Sequence, residues 1–239
     1  MNLYYDFHIH TALSPCGDRD MTPNNIVNMA TIKGLDAIAI TDHNTVRNCL
    51  PCVEVAKKTD LTVIPGMEIQ TKEEVHLLCM FRNIETAILF EKAIDSHMIK
   101  LQNNPKFFGK QLIFDKYDNV IGEEKRLLSS SVNMSINEVF HTLSDMGGIV
   151  IPAHIDKKAY SIISNLGFMP MDLGITTVEF SKGCNKEKFI KSNNYIKKYR
   201  IIRNSDAHYL GDISERTNYL NVKKKDIHEI FKVLSSQVI

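Results

Sequence analysis

The chain has 239 residues, 44% of them hydrophobic, and its 29 Lys and Arg nearly balance 28 Asp and Glu for a formal charge of +1. That length suits one (β/α) barrel with a sizeable core, and the even balance excludes the basic footprint of a dedicated nucleic-acid binder. No stretch approaches the roughly 20 apolar residues of a membrane-spanning helix. Five cysteines and no signal-peptide pattern read as reduced thiols in a cytoplasmic protein.

Strand and helix alternate along the chain. Residues 3–8 form a predicted strand, rich in aromatics, that runs into His8-Ile9-His10. An i, i+2 pair on a strand presents both side chains to one face, so His8 and His10 can converge on one ion. Thr22-Pro23 reads as N-cap and first helical residue, with Gly34 stopping the helix after Lys33. Residues 37–41 are a short apolar strand leading into Asp42-His43. A helix through residues 53–58 follows, then a strand over 61–65 that passes Pro65-Gly66 to reach Glu68. A strand over 75–81 begins beside His76, and residues 86–101 carry apolar side chains at helical spacing.

Residues 111–121 break this rhythm, with Asp118-Asn119 as turn residues of a small hairpin. Ser135 and Glu138 form a capping box that opens a helix over 135–146, and Gly147-Gly148 ends it. A buried strand over 149–153 leads to His154. Further strands are expected at 176–180, 200–204 and 219–222, with Asp206-Ala207-His208 just past the second of them, and a last helix at 225–234. No repeat, low-complexity tract or linker divides the chain, so one domain is expected over 1–239, with a small insertion at about 102–134.

The recurring placement is what carries chemistry. His8, Asp42-His43, Glu68, His154 and Asp206 all fall at the C-terminal ends of apolar strands, which is where a parallel α/β barrel builds its active site. Imidazoles with carboxylates suit zinc, manganese or iron, so the pattern reads as a multinuclear metallohydrolase. Asp42 reads either as a ligand or as the group that orients His43, and Asp6 either as a support for His8 or as a solvated strand residue. His97, His141 and His228 lie on predicted helices without partners and are assigned to surface or packing. Cys49-Leu50-Pro51-Cys52 reads as two partly buried thiols near a helix start. Arg203, Lys182 and Arg216 are candidates to clamp a substrate phosphate, with ordinary surface pairing as the plainer reading; Lys223-Lys224-Lys225 reads as a solvated helix start.

These motifs together resemble the PHP (polymerase and histidinol phosphatase) family of metal-dependent phosphoesterases. The resemblance runs through His8-Ile9-His10-Thr11, Asp18 to Thr22-Pro23, Thr41-Asp42-His43-Asn44, Ala153-His154 and Ser205-Asp206-Ala207-His208, with Glu68 and His76 between them. It implies a distorted seven-stranded (β/α)7 TIM-like barrel holding two or three divalent ions (Zn, Mn or Fe). In that pattern His8, His10, Glu68 and Asp206 surround one ion, and Glu68 bridges to a second held by His76 and His154. Asp18, His43 and His208 hold the third. The chain departs from the family after Ser14, where Pro15-Cys16-Gly17 stands in place of the usual acid; Asp18 and Asp20 both compete for that position, and the Cys16 thiol is close by.

The implied activity is hydrolysis of a phosphate ester, a small phosphomonoester or a nucleotide, by a metal-activated hydroxide. His43, His208 and Asp206 are the catalytic candidates, with His43 or His208 protonating the leaving group. An amide or carbamoyl hydrolase on the same site, a DNA-associated nuclease, and a non-catalytic metal-stabilised binding module are the alternatives. Neither membrane association nor stable nucleic-acid binding is expected.

Overall fold

The computed structural model describes residues 1–237, so the last two residues of the predicted domain lie outside it. In chain order the first half holds β1 (Asn2–Ile9), α1 (Pro23–Ile32), β2 (Ala37–Ile40), α2 (Cys49–Ala56), β3 (Thr62–Gln70), β4 (His76–Met80) and α3 (Ile84–Asp95). The insertion region follows with α4 (Pro105–Phe108), β5 (Leu112–Phe114) and β6 (Val120–Glu123). Then come α5 (Ile136–Asp145), β7 (Ile149–Pro152), α6 (Ile162–Leu166), β8 (Thr177–Phe180), α7 (Lys186–Ser192), β9 (Arg200–Arg203), β10 (Tyr219–Asn221) and α8 (Ile227–Ser235). Among the described residues no helix is long and apolar enough to cross a membrane.

Six strands form one sheet in the order β10-β1-β2-β3-β4-β7, while β8 and β9 make a separate parallel pair. Only β1-β2-β3 is parallel within the large sheet; β4 is antiparallel to both β3 and β7. The sheet therefore departs from the all-parallel order of a regular (β/α) barrel. Residues 71–75 join β3 to β4 as a short turn, and a turn that short permits only an antiparallel pair.

Of the expected distorted seven-stranded barrel the structure shows a curled six-stranded sheet, whose gap the β8–β9 pair spans with few bonds. The Ile155 N–H donates to the Glu179 carbonyl (2.9 Å) beside β7. At the other side the Ala207 N–H donates to the His8 carbonyl (3.2 Å) and the His10 N–H to the Ala207 carbonyl (3.0 Å). A longer ladder is blocked because β10 occupies the start of the β1 edge, from Asn2 opposite Asn221 to Tyr4 opposite Tyr219. The segment after β9 reaches β1 only at its far end.

Two apolar layers flank the strands. Inside the curl, Leu3, Phe7, Ala39, Leu78, Met80, Ile151 and Ile202 meet Ile230, Phe231 and Leu234 of α8, which plugs the end opposite the ligand-bearing loops. Each of these buried side chains other than Ala39 contributes about 1.5–3 kcal/mol. Outside, Ile38, Ile40, Met67, Ile69 and Leu77 pack with Ile26 and Val27 of α1, Phe90 of α3 and Val139 of α5.

The helix ends largely follow the sequence. Ser135 and Glu138 make the reciprocal capping box of α5, and Pro23 opens α1 after Thr22. Thr22 does not cap with its own side chain, however; its hydroxyl donates to Asp118 Oδ2 (2.8 Å), and Asp118 Oδ1 accepts the Asn24 N–H (3.0 Å). The β5–β6 turn thus supplies the cap of α1 and pins the insertion to the body. The final helix begins at Ile227 behind the N-cap Asp226 rather than at Lys225, which pairs with Asp36 instead. Cys49 and Cys52 are fully buried in α2, not partly so.

Candidate metal centre

At the loop end of the curl, five imidazoles converge on one carboxylate. Glu68 Oε1 lies 3.3 Å from His8 Nε2, 2.8 Å from His76 Nδ1 and 3.2 Å from His154 Nε2. Its Oε2 lies 3.4 Å from His10 Nε2 and 3.1 Å from His43 Nδ1. Asp206 Oδ1 sits 3.3 Å from both His8 Nε2 and His10 Nε2, and the His208 ring stacks on His10 with centroids 4.4 Å apart. The strand argument for His8 and His10 holds: their Nε2 atoms are 3.2 Å apart. A shift in the β1–β2 register between Asp6 and Ile9 lies at this pair, and a bulge of that kind re-aims side chains.

The donor set fits cations. Two imidazole nitrogens facing each other at hydrogen-bond distance can share at most one proton, whereas an ion between them satisfies both. His43 Nδ1 and His154 Nδ1 are buried without a hydrogen-bond partner among the described residues, a rare condition that points to a bound group. Three sets bring their ligand atoms within 4.8 Å of one another: His8, His10 and Glu68; His43, Glu68 and His76; and His10, Cys16, His43 and His208. Asp18 joins none of them. Its Oδ1 accepts the Asp20 N–H (2.9 Å) in an exposed turn, Asp20 itself faces solvent, and Cys16 stands on the His43–His208 side instead.

Behind the ligands lies a layer of carboxylates. Glu179, 1% exposed on β8, places Oε1 3.0 Å from His8 Nδ1. The same group accepts the His154 N–H (2.7 Å) and an Asn204 amide N–H (2.7 Å). Sequence reasoning missed it, although a glutamate between Val178 and Phe180 on a predicted buried strand was a usable signal. Asp42 does not orient His43. It accepts the Thr11 N–H (2.7 Å), the Thr11 hydroxyl (2.7 Å) and the Ser14 hydroxyl (2.6 Å), and Ser14 Oγ lies 3.0 Å from His10 Nδ1. Asp6 is fully buried rather than solvated; it accepts the Ser205 N–H (3.0 Å) and Ser214 N–H (2.8 Å), which fixes the turn leading to Asp206.

Charge follows this arrangement. Burial works against a protonated His8, but the Glu179, Asp206 and Glu68 carboxylates raise it well above its ordinary value. Burial holds His43 well below its ordinary value against the pull of Glu68, and burial with the neighbouring His10 takes His208 down to about 4. Both imidazoles are neutral at neutral pH, the state that binds metal. Burial would raise Glu68, yet His76, His8 and His43 hold it well below the usual carboxylate range; Asp206 is depressed in the same way, mainly by His8 and His10. Burial and the Glu68 charge push the Cys16 thiol up to about 12, so without a cation it is a poor nucleophile.

His154 and Asp206 have positive φ (28° and 55°), a conformation side chains seldom adopt. Such strain persists where surrounding contacts over-determine it, here the Glu179 bond to the His154 N–H and the Asp6 bonds to Ser205. Above the cluster opens a cleft of about 450 Å³ lined by His43, His76, His208, Lys157, Lys158 and Tyr160. Lys157 Nζ lies 2.6 Å from Asp206 Oδ2, and Tyr160 stacks on His76 with centroids 4.7 Å apart. The cations proposed from sequence lie elsewhere: Arg203 donates to the Cys184 carbonyl, Lys182 to the Asp212 carbonyl, and Arg216 covers the Tyr4 ring. His141 and His228 are exposed, and neither they nor His97 joins a ligand set.

The PHP domain family matches residues 6–166. Over 254 aligned residues the chain is 24% identical to the PolC-type DNA polymerase III of Staphylococcus aureus, covering 91% of this chain but only 17% of that protein. The lesion-specific endonuclease PfuEndoQ of Pyrococcus furiosus superimposes with a TM-score of 0.69 at 20% identity, over 98% of this chain and 56% of that one. A candidate metal-dependent phosphoesterase from Bifidobacterium adolescentis gives 0.63 at 17% identity over 97% and 96% of the two chains. The chain therefore spans a minor part of the polymerase and little more than half of the endonuclease, and at these identities the solved structures show a shared fold.

Proposed function

The chain belongs to the PHP domain family, and from that premise we propose that it is a metal-dependent hydrolase of phosphate esters acting on a small phosphomonoester or a short nucleotide. The observation that carries this reading is Glu68, with one oxygen toward His8, His76 and His154 and the other toward His10 and His43. A carboxylate so placed could be shared by two ions, one that His8, His10 and Asp206 would hold and one that His76 and His154 would hold. When bound, zinc, manganese or iron would supply Lewis acidity toward phosphoryl oxygens and the means of ionising water near neutral pH.

The chain's own groups do the positioning, which dominates phosphoryl transfer. Burial opposes the charge on Lys157, but the adjoining Asp206 raises its ammonium above the ordinary value, so it stays cationic at the cleft mouth. With Lys158 it would meet the non-reacting phosphate oxygens. Tyr160, 45% exposed and parallel to His76, offers a face for a flat or apolar leaving group. His43 and His208, both neutral, suit metal ligation better than protonation of the leaving group. Asp206 would hold its ion and fix Lys157 at once.

A second reading, cleavage of a nucleic-acid phosphodiester, is favoured by the likeness to a lesion-specific endonuclease and to part of a DNA polymerase. The formal charge of +1 supports a small substrate over a long one. The test is elemental analysis of purified protein paired with hydrolysis of an aryl phosphate, a dinucleotide panel and an abasic-site duplex. Two or three ions per chain, with chelator-sensitive turnover of the aryl phosphate or a nucleotide, is the expected result. Cleavage of the duplex alone would favour the nuclease, and bound metal without any ester cleavage would overturn the proposal.

A further inference from the structure

We infer that Cys16 is a metal ligand of this centre, completing with His43 and His208 a sulfur-containing site that takes a thiophilic divalent ion, zinc in preference to manganese. The inference rests on reading the cluster as a metal centre and concerns a residue at which the chain departs from the family's acid.

Ligand atoms of Cys16, His43, His208 and the neighbouring His10 lie within 4.8 Å of one another. His208 Nδ1 faces the Asp206 carbonyl (2.8 Å), which leaves its Nε2 to give. His10 has none to spare, since Nδ1 is engaged with Ser14 Oγ (3.0 Å) and Nε2 faces His8 Nε2 (3.2 Å) and Asp206 Oδ1 (3.3 Å). His43 is 7% exposed and its ring makes no hydrogen bond among the described residues, although Nδ1 is completely enclosed. A buried imidazole nitrogen that makes no hydrogen bond, beside a thiol and the His208 ring, suits a bound cation.

The loop that brings Cys16 here is tightly built. The Ser14 N–H donates to the Thr11 carbonyl (3.1 Å), the Gly17 N–H to the Ser14 carbonyl (2.9 Å), and the Asp18 N–H to the His208 carbonyl (2.9 Å). A side chain at Gly17 would place its Cβ 2.2 Å from the Thr11 carbonyl oxygen, so the loop closes this far only with glycine. The Asp18 carboxylate accepts the Asp20 N–H and joins no ligand set, Asp20 faces solvent, and the surface-exposed Cys16 places its thiol among the imidazoles.

One thiolate with two imidazoles, leaving a fourth position open, is a zinc arrangement, and a soft sulfur donor shifts preference away from manganese, which favours oxygen ligands. Cys49, Cys52 and Cys79 are enclosed in the core and belong to none of the ligand sets, and Cys184 lies near Arg203 outside the centre.

The test is titration of chelator-stripped protein with cobalt(II), followed by near-ultraviolet absorption and by elemental analysis. A thiolate-to-cobalt charge-transfer band is expected in the wild type and in Cys184→Ser, and its loss in Cys16→Ser and Cys16→Asp, each checked for fold by circular dichroism. Cys16→Ser should also weaken the affected zinc ion by at least about tenfold, and Cys16→Asp should restore binding with manganese favoured over zinc. A measurement that needs no variant is zinc-edge X-ray absorption of the loaded wild type, where a zinc–sulfur distance of about 2.3 Å is expected. Cobalt bound without the band, or loaded zinc with nitrogen and oxygen neighbours alone, would overturn the assignment while leaving the metal centre standing. Failure to bind any cobalt or zinc would overturn both.

Discussion

Glu179 illustrates why the imidazoles were legible in the sequence and their supports were not. A metal-binding histidine needs its second nitrogen held, and the holder is fixed by spatial proximity rather than spacing. Glu179 is 171 residues from His8 yet 3.0 Å from its ring. The same holds for Asp42, which supports His10 through Ser14, and for Lys157 at the cleft mouth, whose direction depends on a turn rather than a strand. Glu179→Gln keeps the shape but removes the charge beside His8. Metal affinity should fall about 10- to 100-fold, measured by competition against a chromophoric chelator with the far-ultraviolet spectrum unchanged; unaltered affinity would show that His8 does not need the carboxylate. Lys157→Ala should raise KM for a phosphomonoester by more than it lowers kcat, with ion content preserved, and a loss confined to kcat would remove Lys157 from substrate binding.

At the scale of elements, strand positions were readable because apolar runs of four to six residues bounded by turn residues report burial. Strand direction was not, since alternation at period two is the same in parallel and antiparallel pairs. Direction came from connection length, and the turn over 71–75 forced β4 against β3. Short helices such as α6 and α7 escaped notice because a helix of 5 or 7 residues shows no full amphipathic repeat. The β3–β2 approach supplies a prediction at this scale. A Cβ at Gly66 would fall 2.8 Å from Thr41 Cγ2 and 3.0 Å from the Ile40 carbonyl oxygen, two residues from Glu68. Gly66→Ala should destabilise by about 1–3 kcal/mol, lowering the melting temperature by roughly 2–4 °C per kcal/mol. A melt identical to wild type would mean the two strands separate freely there.

For the whole molecule, the centre is where segments distant in sequence meet: β1, the loop after β2, β3, β4 and the turns after β7 and β9 all deliver side chains to it. Its protonation is therefore coupled to folding, with a direction that can be worked out. His8 is raised in the folded state, so its contribution is full below the ordinary imidazole value of about 6.5 and is lost as pH rises through the folded value. His43 and His208 are lowered, so each disfavours folding as pH falls below that same ordinary value. Glu68 and Asp206 are lowered carboxylates, and their stabilisation is present above roughly pH 4 and lost as pH falls further through their folded values. Stripped of metal, the protein should melt highest near about pH 6.5 and lower on either side. On the proposed reading metal would displace the His8 proton and bind the neutral rings, so loading would remove the alkaline loss and add stability that grows with free ion, about 2.7 kcal/mol at one hundred times Kd. The difference in melting temperature between loaded and stripped protein should widen from pH 6 to pH 8. Melts that run parallel across that range would mean that the imidazoles are not what the ions bind.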